Sequence, residues 1–370
     1  MNRILGIFAI LALVGAFAPS MASAQIFPED ENAAAQESAE EAAVAETAGT
    51  IRTVASRAGQ AVKVILLSGF GWFNFDTGAA PTNVASENQI TGTDESADFF
   101  EGVGVWFNGS HEFLRMIQTD FEAETSISSG IVGADKFITD DILLGVAVGR
   151  SSSETENKTK FAVGVQTTDI DTTSTSGTLY GAYILNENIY FDASIGITRD
   201  RVRTVGFGNA ATIFKQKANN RYGAVNGYYV QPYADDLIVT YQAGVSRTLS
   251  NFGSTTDEIS GATVNGTDAN TTQYSIGGQA SHLYDNATVL NGGAVLEYFG
   301  TDREIGLGRG VVGASGLVNQ QVDSRYQVRL TGGVDHALTE NLTLSGELGI
   351  VTFREDTDNW NAGFNIRYDF

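Results

Sequence analysis

The chain has no cysteine, only 4 prolines in 370 residues, and no apolar run long enough for a membrane-spanning helix. Without cysteine, a disulfide-stapled secreted domain and thiolate metal sites are both excluded. Basic residues are also scarce, because 22 Lys and Arg stand against 44 Asp and Glu, giving a formal net charge of −22. This balance argues against nucleic acid and against an anionic surface as partners.

The N-terminus has the pattern of a secretory signal peptide. A short basic start, Met1–Arg3, precedes the apolar run Ile4–Phe17, and Ala22-Ser23-Ala24 supplies small residues for cleavage before Gln25. A run of about 14 residues is too short for a spanning helix, which needs about 20. We therefore expect residues 1–24 to be removed on export. An exported chain without a spanning helix either stays soluble or enters a membrane as a closed barrel.

The C-terminus alternates between apolar and polar residues without a break. Because successive side chains of a strand point to opposite faces, one face is suited to lipid and the other to water. Aromatic residues stand near both ends of the apolar face, as in the girdles of membrane barrels. The apolar face comprises Trp360, Ala362, Phe364, Ile366, Tyr368 and Phe370.

The same period of two recurs from Phe99 onward. In the segment 189–198, Ile195 and Ile197 alternate with Asp192 and Ser194. The polar faces carry charges, so they indicate a wet interior rather than a dry core. Inside a barrel such charges set ion selectivity, hold a plug, or form a structural polar network. The charges predicted to face the lumen are Asp192, Glu297, Arg325, Arg329, Glu347, Arg367 and Asp369.

Short polar turns recur about every 50 residues, and long polar stretches lie between them. The turns lie at 139–141, 186–188, 234–236, 284–286 and 339–341, and the predicted loops are Ser151–Thr173, Arg199–Asn220, Asn251–Thr271 and Thr301–Asp323. Short periplasmic turns alternating with long outer loops are typical of outer-membrane barrels. The predicted strands start near residues 101, 128, 142, 174, 189, 221, 237, 272, 288, 324, 342 and 359. The sequence thus predicts an all-β fold, an antiparallel transmembrane β-barrel of about twelve strands over residues 99–370.

Residues 25–98 differ in composition from the barrel. The segment Gln25–Thr47 is rich in Ala and Glu and has no basic residue, which favours disorder or a solvated helix. Apolar residues recur at helical spacing in Ile51–Leu67, which predicts a helix. It is either a surface helix or a helix that occupies the pore, for which its small residues are suited. We therefore expect a short, partly helical N-terminal segment that acts as a passenger or a plug.

Nothing in the sequence indicates catalysis. Ser281 and His282 are adjacent, as are Ser110 and His111, and adjacent strand residues face opposite ways. No Gly-x-Ser-x-Gly elbow and no His-Glu-x-x-His motif occurs. Acidic loops such as Asp169–Asp171 lack a full calcium ligand set. We expect no catalytic, cofactor-binding or metal-binding residues and therefore no enzyme, and the sequence identifies no small-molecule ligand.

Three stretches resemble the autotransporter β-domain family. Gly102–Gly109 resembles its first strand, Gly130–Ser151 is similar to its second hairpin, and Leu179–Tyr183 with Tyr190–Gly196 looks like the third. The terminal Tyr368-Asp369-Phe370 resembles the signal read by the barrel-assembly machinery. The proposed assembly signal comprises Phe364, Ile366, Tyr368 and Phe370.

The resemblance implies a twelve-stranded barrel with a helix in its lumen that carries an N-terminal passenger to the cell surface. It implies residence in the outer membrane of a Gram-negative bacterium, with outer-membrane lipid and lipopolysaccharide as surroundings. The passenger would span only Gln25 to about Ala97. Two other functions stay open from the residues alone: a porin-like channel, and a surface adhesin or structural barrel that acts through its outer loops.

Overall fold

The computed structural model describes residues 102–370, except 118–120, 162–163, 208–211, 260, 262, 265, 286, 305–325, 340 and 354–356. No helix in this part of the chain is long and apolar enough to cross a membrane. The expected signal peptide, the segment 25–98 with its helix, and Arg325 lie outside the described residues. The strands are β1 (Val103–Ile117), β2 (Phe121–Thr139), β3 (Ile142–Phe161), β4 (Gly164–Asn186), β5 (Ile189–Phe207), β6 (Thr212–Ala234), β7 (Leu237–Phe252), β8 (Thr255–Thr256), β9 (Thr263–Val264), β10 (Thr267–Asp285), β11 (Thr288–Glu304), β12 (Tyr326–Thr339), β13 (Leu342–Thr352) and β14 (Thr357–Asp369).

Twelve of these strands form one closed antiparallel barrel. Their order around the barrel is β1-β14-β13-β12-β11-β10-β7-β6-β5-β4-β3-β2. Each barrel strand therefore pairs with the barrel strands that precede and follow it in the chain, and β1 pairs with β14 to close the barrel. The first and last strands pair with each other, from Gly104 opposite Asp369 to Met116 opposite Thr357. Because the barrel is closed, each strand has a hydrogen-bonding partner on both sides. Lipid offers no partners for backbone N–H and C=O groups, so a membrane-spanning sheet must be closed in this way. The predicted fold class and strand number are confirmed.

Tight turns connect the strands at one end of the barrel. Asp140-Asp141, Glu187-Asn188 and Asp235-Asp236 form three of them, at positions predicted from the sequence. Asn and Asp suit such turns because their side chains bond to nearby backbone N–H groups. Asn186 Oδ1, for example, accepts a hydrogen bond of 2.9 Å from the backbone N–H of Asn188.

The predicted outer loops are wrong over much of their length. The stretch Ser151–Thr173 lies almost wholly in β3 and β4, and Arg199–Asn220 lies largely in β5 and β6. Strand starts predicted near 128, 174 and 221 are observed at Phe121, Gly164 and Thr212. Both segments carry polar residues on both faces, and the first is rich in Thr, which is compatible with a strand. Backbone pairing continues where the apolar pattern has ended.

The barrel wall is therefore uneven in height. Strands β4 and β6 have 23 residues each, whereas β13 has 11. A tilted strand needs only about 9–11 residues to cross a bilayer. On β5 the outward apolar series ends at Ile197 and the next outward residue is Arg199. The upper halves of β3–β6 form a polar sheet beyond the apolar band.

A small hairpin of β8 and β9 covers the free edge of this raised sheet. The backbone N–H of Gly253 donates to the carbonyl of Lys217 at 2.9 Å, and that of Glu258 donates to the carbonyl of Ile213 at 2.9 Å. Asp257 accepts from the backbone N–H of Ile213 at 2.7 Å. Covering an edge in this way prevents pairing with another chain.

Candidate functional site on the inner wall of the barrel

The two faces of the barrel wall differ sharply in exposure. On β5, Ile195 and Ile197 expose 63% and 52% of their surface on the outer face. Asp192, Ser194 and Thr198 alternate with them and are buried on the inner face. The predicted separation into an apolar outer face and a polar inner face is thus observed on this strand. The candidate site is therefore the inner wall, where the polar groups converge.

An ion-pair cluster lies on the inner wall near the tight turns, where the first and last strands meet. Arg367 donates to both oxygens of Asp135, with Nη2–Oδ1 at 2.8 Å and Nη1–Oδ2 at 3.2 Å. It also lies 2.8 Å from Asp369 Oδ1. Asp135 has no exposed side-chain surface. A buried carboxylate needs such donors, and a bidentate guanidinium is the strongest available.

Two aromatic side chains complete the shell of Asp135. Tyr180 donates its hydroxyl hydrogen to Asp135 Oδ2 at 2.7 Å, and Trp106 Nε1 donates to the same oxygen at 3.1 Å. Both rings lie over glycines of neighbouring strands. A Cβ on Gly145 would lie 2.2 Å from Tyr180 Cζ, and one on Gly133 would lie 2.4 Å from Trp106 Cζ2. Glycine is required at both positions so that the rings can lie flat against the wall.

A second polar network surrounds Asp192. Asn226 donates to Asp192 Oδ1 at 2.7 Å, and the Tyr228 hydroxyl donates to Oδ2 at 2.6 Å. The Tyr228 ring stacks on Tyr190, with centroids 4.4 Å apart. Together with Trp106, Tyr180 and several aliphatic residues, these rings form a buried cluster on the inner wall. Side chains of the wall therefore fill part of the lumen on the side of the tight turns.

A third network joins β11, β12 and β14. Glu297 accepts a hydrogen bond from Gln327 and lies 3.5 Å from Arg329 Nε. Arg329 Nη1 also donates to Asn361 Oδ1 at 3.3 Å. Glu297 and Arg329 are both buried. In this network and at Asp135, charges of opposite sign are thus paired, whereas Asp192 is held by neutral hydrogen-bond donors.

The structure places the predicted lumen charges as follows. Asp192, Glu297, Arg329 and Arg367 project from inward positions into the networks above, and Asp369 contacts Arg367. Glu347 lies on the inward side of β13, in register with Gly333 and Gly363, and is exposed. Sequence reasoning missed Asp135 as a site residue. Its inward position in the alternation of β2 was the signal that could have found it.

The proposed assembly signal lies on the outer face of β14. Phe364, Ile366, Tyr368 and Phe370 each expose between 41% and 52% of their surface. Backbone bonds hold the terminal residue against the start of β1, because Phe370 N–H donates to the carbonyl of Val103 at 3.0 Å. The terminal aromatics thus lie at the seam that closes the barrel. Their role in assembly stays a prediction.

The serine–histidine neighbours are arranged as strand geometry requires. Ser281 is buried and donates to Asn291 Oδ1 at 2.8 Å, whereas His282 is exposed and lies against Asp236. The two side chains point to opposite faces and cannot act as a pair. Within the described part of the chain, no group of three or more His, Asp and Glu residues could hold a metal ion.

Solved translocator barrels share this fold. The translocator domain of autotransporter NalP from Neisseria meningitidis matches with a TM-score of 0.60 and 13% identity, over 74% of this chain and 92% of that one. The β-domain of the Bordetella autotransporter BrkA matches with a TM-score of 0.51 and 13% identity, over 73% and 100%. The transport unit of AIDA-I from Escherichia coli gives 0.50 and 13%, over 82% and 97%.

Identities this low establish the fold alone, and no curated protein matches the sequence significantly. The family comparison is decisive. The model of the autotransporter β-domain matches residues 105–349, which is well over half of the chain. The chain therefore belongs to the autotransporter β-domain family, whose members are translocator barrels in the outer membrane of Gram-negative bacteria.

Proposed function

We propose that this chain is exported by its signal peptide, inserts into the outer membrane, and uses its barrel to carry its own segment 25–98. Part of that segment occupies the lumen as a helix near Ile51–Leu67, and the acidic stretch before it reaches the cell surface. Family membership supports the translocator role. The segment 25–98 is the part of this chain that we propose is displayed or retained in the lumen.

The burial of polar residues on the inner wall carries this proposal. Asn220 and Ser153 are each only 1% exposed, although they lie on inward positions of a closed barrel. An open, water-filled lumen would leave such side chains wet. The lumen of a twelve-stranded barrel is wider than that of an eight-stranded barrel, which side chains fill, and narrower than that of an open porin. Its width therefore suits a single helix. We infer that a segment of the chain inside the lumen contributes to this burial, together with the wall side chains described above.

Single-channel conductance of the purified barrel tests the proposal against a porin-like channel. We expect the mature chain to conduct weakly and the variant lacking residues 25–98 to show a stable open pore. Deletion of residues 25–47 alone is the matched control, because it removes the acidic stretch but keeps Ile51–Leu67. Large, equal conductance of all three proteins would contradict the plug and favour a channel.

The surroundings of the protein belong to the same proposal. Outer-membrane lipid and lipopolysaccharide contact the apolar outer face, and the barrel-assembly machinery engages the terminal strand during insertion. Translocator barrels are not enzymes, and we propose no catalytic activity for this chain either.

The raised polar sheet of β3–β6 supports a second candidate role, surface binding, which cell-binding assays with shortened β3–β4 and β5–β6 hairpins would test.

A further inference from the structure

Four arginines lie on the outer face near the upper edge of its apolar band. Arg150 is the ninth residue of β3, and Arg199 and Arg247 are the eleventh residues of β5 and β7. Arg221 is the fourteenth residue from the end of β6. Counted from the tight turns, they reach about the length that crosses a bilayer, 9–11 residues, or slightly beyond it. All four are exposed. We refer to these four residues as the arginine girdle.

Strand register brings the girdle together on one sector of the wall. Arg150 and Arg199 are both register partners of Thr175, one on each side of it. Arg221 is the partner of Ile197, the last outward apolar residue of β5. Neighbouring strands lie about 4.8 Å apart, so the girdle spans only a few strand widths. It forms a compact cationic surface at the upper edge of the apolar band.

Among the described residues, no carboxylate neutralises the girdle. No described residue forms an ion pair with any of its four arginines. Just above it, Arg201 is paired in register with Lys217, although like charges opposite each other destabilise a sheet. By contrast, four other outward cations each have a carboxylate partner. These are Arg115 with Glu122, Lys158 with Glu156, Arg203 with Asp171 and Lys215 with Glu258.

A shallow groove on the outer face adjoins the girdle at Arg150. It has a volume of about 390 Å³, and Phe107 and Val132 supply apolar walls while Ser128 and Ser152 supply hydroxyls. Gly130 lines it, and a Cβ there would touch only the Phe107 ring, at 3.7 Å and beyond. The groove therefore combines apolar surface with a free guanidinium at its edge. This combination suits an acyl chain that carries an anionic headgroup.

We propose that the arginine girdle binds the phosphate groups of a glycolipid in the outer leaflet, with an acyl chain in the groove beside Arg150. Guanidinium groups recognise phosphate oxygens bidentately, and a lipid at this level meets both the cations and the apolar wall. The inference rests on the proposed outer-membrane location. The net charge of −22 argued against anionic surfaces as partners, but the girdle is a local sector of positive charge.

The acidic segment Gln25–Thr47 of the same chain is the competing occupant. It carries negative charge, but it has no phosphate and no acyl chain for the groove. The position of the girdle at the edge of the lipid-facing band favours the glycolipid. Girdle-dependent binding of this segment would overturn the proposal.

Native mass spectrometry of the detergent-solubilised mature chain tests the proposal. The probes are lipid A with two phosphates, the same lipid A without phosphate, a synthetic peptide of residues 25–47, and inorganic phosphate. The test variant carries Arg150→Gln, Arg199→Gln, Arg221→Gln and Arg247→Gln. The matched control carries Arg115→Gln, Lys158→Gln, Arg203→Gln and Lys215→Gln, which removes the same charge from paired cations. Heat-modifiable gel mobility verifies that both variants are folded.

We expect the test variant to bind phosphorylated lipid A about tenfold or more weakly, since each basic residue near an anionic lipid contributes measurably. The control is expected to bind within about twofold of the native chain, and dephosphorylated lipid A is expected to bind weakly to all three. Equal loss in both variants, equal binding of the two lipids, displacement of the lipid by millimolar inorganic phosphate, or girdle-dependent binding of the peptide would each overturn the proposal. The assay needs no passenger display, so its result is separable from that of the conductance experiment.

Discussion

Arg367 on the last barrel strand forms a bidentate ion pair with Asp135 on the second strand, across the first strand that lies between them. Gly104 of β1 is the register partner of both Asp135 and Asp369, so the arginine passes over a residue without a side chain. The pair thus links the two ends of the barrel at its closing seam. These side-chain contacts reinforce the backbone hydrogen bonds between β1 and β14, the pair of strands that closes the barrel.

Replacing Arg367 with Gln is expected to destabilise the folded barrel. The change leaves the buried Asp135 carboxylate without its charged partner, and breaking such a pair costs about 3–5 kcal/mol. Urea unfolding of the barrel in lipid vesicles measures the loss. The control is Arg115→Gln, which removes an exposed cation and is expected to cost less than about 1 kcal/mol. Equal costs for the two variants would show that the seam pair contributes little.

Gly104→Ala is expected to act through the same pair. The new Cβ would lie 2.1 Å from Arg367 Nη2 and must displace the guanidinium. The loss in unfolding free energy is therefore expected to be smaller in the Arg367→Gln background than in the native chain. A double-mutant cycle measures this coupling. Additive losses would mean that Gly104 matters for another reason, such as strand conformation.

The two faces of β5 are expected to differ in tolerance to charge. Ile195→Arg places a charge in the lipid-facing band and is expected to cost about 2–4 kcal/mol near the bilayer midplane. Ser194→Arg points inward and is expected to alter conductance more than stability. Unfolding in vesicles and single-channel recordings measure the two effects. If both variants lost the same folding free energy, the assignment of faces would be wrong.

Phe370→Ser is expected to lower the yield of folded barrel sharply. The substitution keeps the backbone hydrogen bonds of residue 370 with Gly102 and Val103 and removes only the terminal aromatic ring. Phe353→Ser is the control, because Phe353 is 78% exposed and lies outside the terminal strand. Heat-modifiable mobility of outer-membrane fractions reports the folded yield. A normal yield of Phe370→Ser would remove the support for an assembly signal.

The sequence predicted the features that depend on alternation and on turn residues. The faces of β5 and β14, the tight turns such as Asp140-Asp141, and the closed twelve-stranded barrel all follow from patterns with a period of two and from polar punctuation. Of the charges predicted to face the lumen, Asp192, Glu297, Arg329 and Arg367 lie in the observed networks.

Other features were beyond sequence reasoning because they depend on register. The upper parts of β4 and β6 carry polar residues on both faces, so no alternation distinguishes them from loops. The Asp135–Arg367 pair joins residues 232 positions apart, and only the observed strand pairing brings them together. The arginine girdle likewise appears only when β3, β5, β6 and β7 are aligned.

Surface labelling of a single cysteine at position 40 tests the display function most directly. The native chain has no cysteine, so the variant Glu40→Cys carries a unique thiol in the acidic segment. A membrane-impermeant maleimide is applied to intact cells and to cells with a permeabilised outer membrane. The account predicts equal labelling in both, because the segment has passed through the barrel to the surface. Labelling only after permeabilisation would place the segment in the periplasm and contradict the display function.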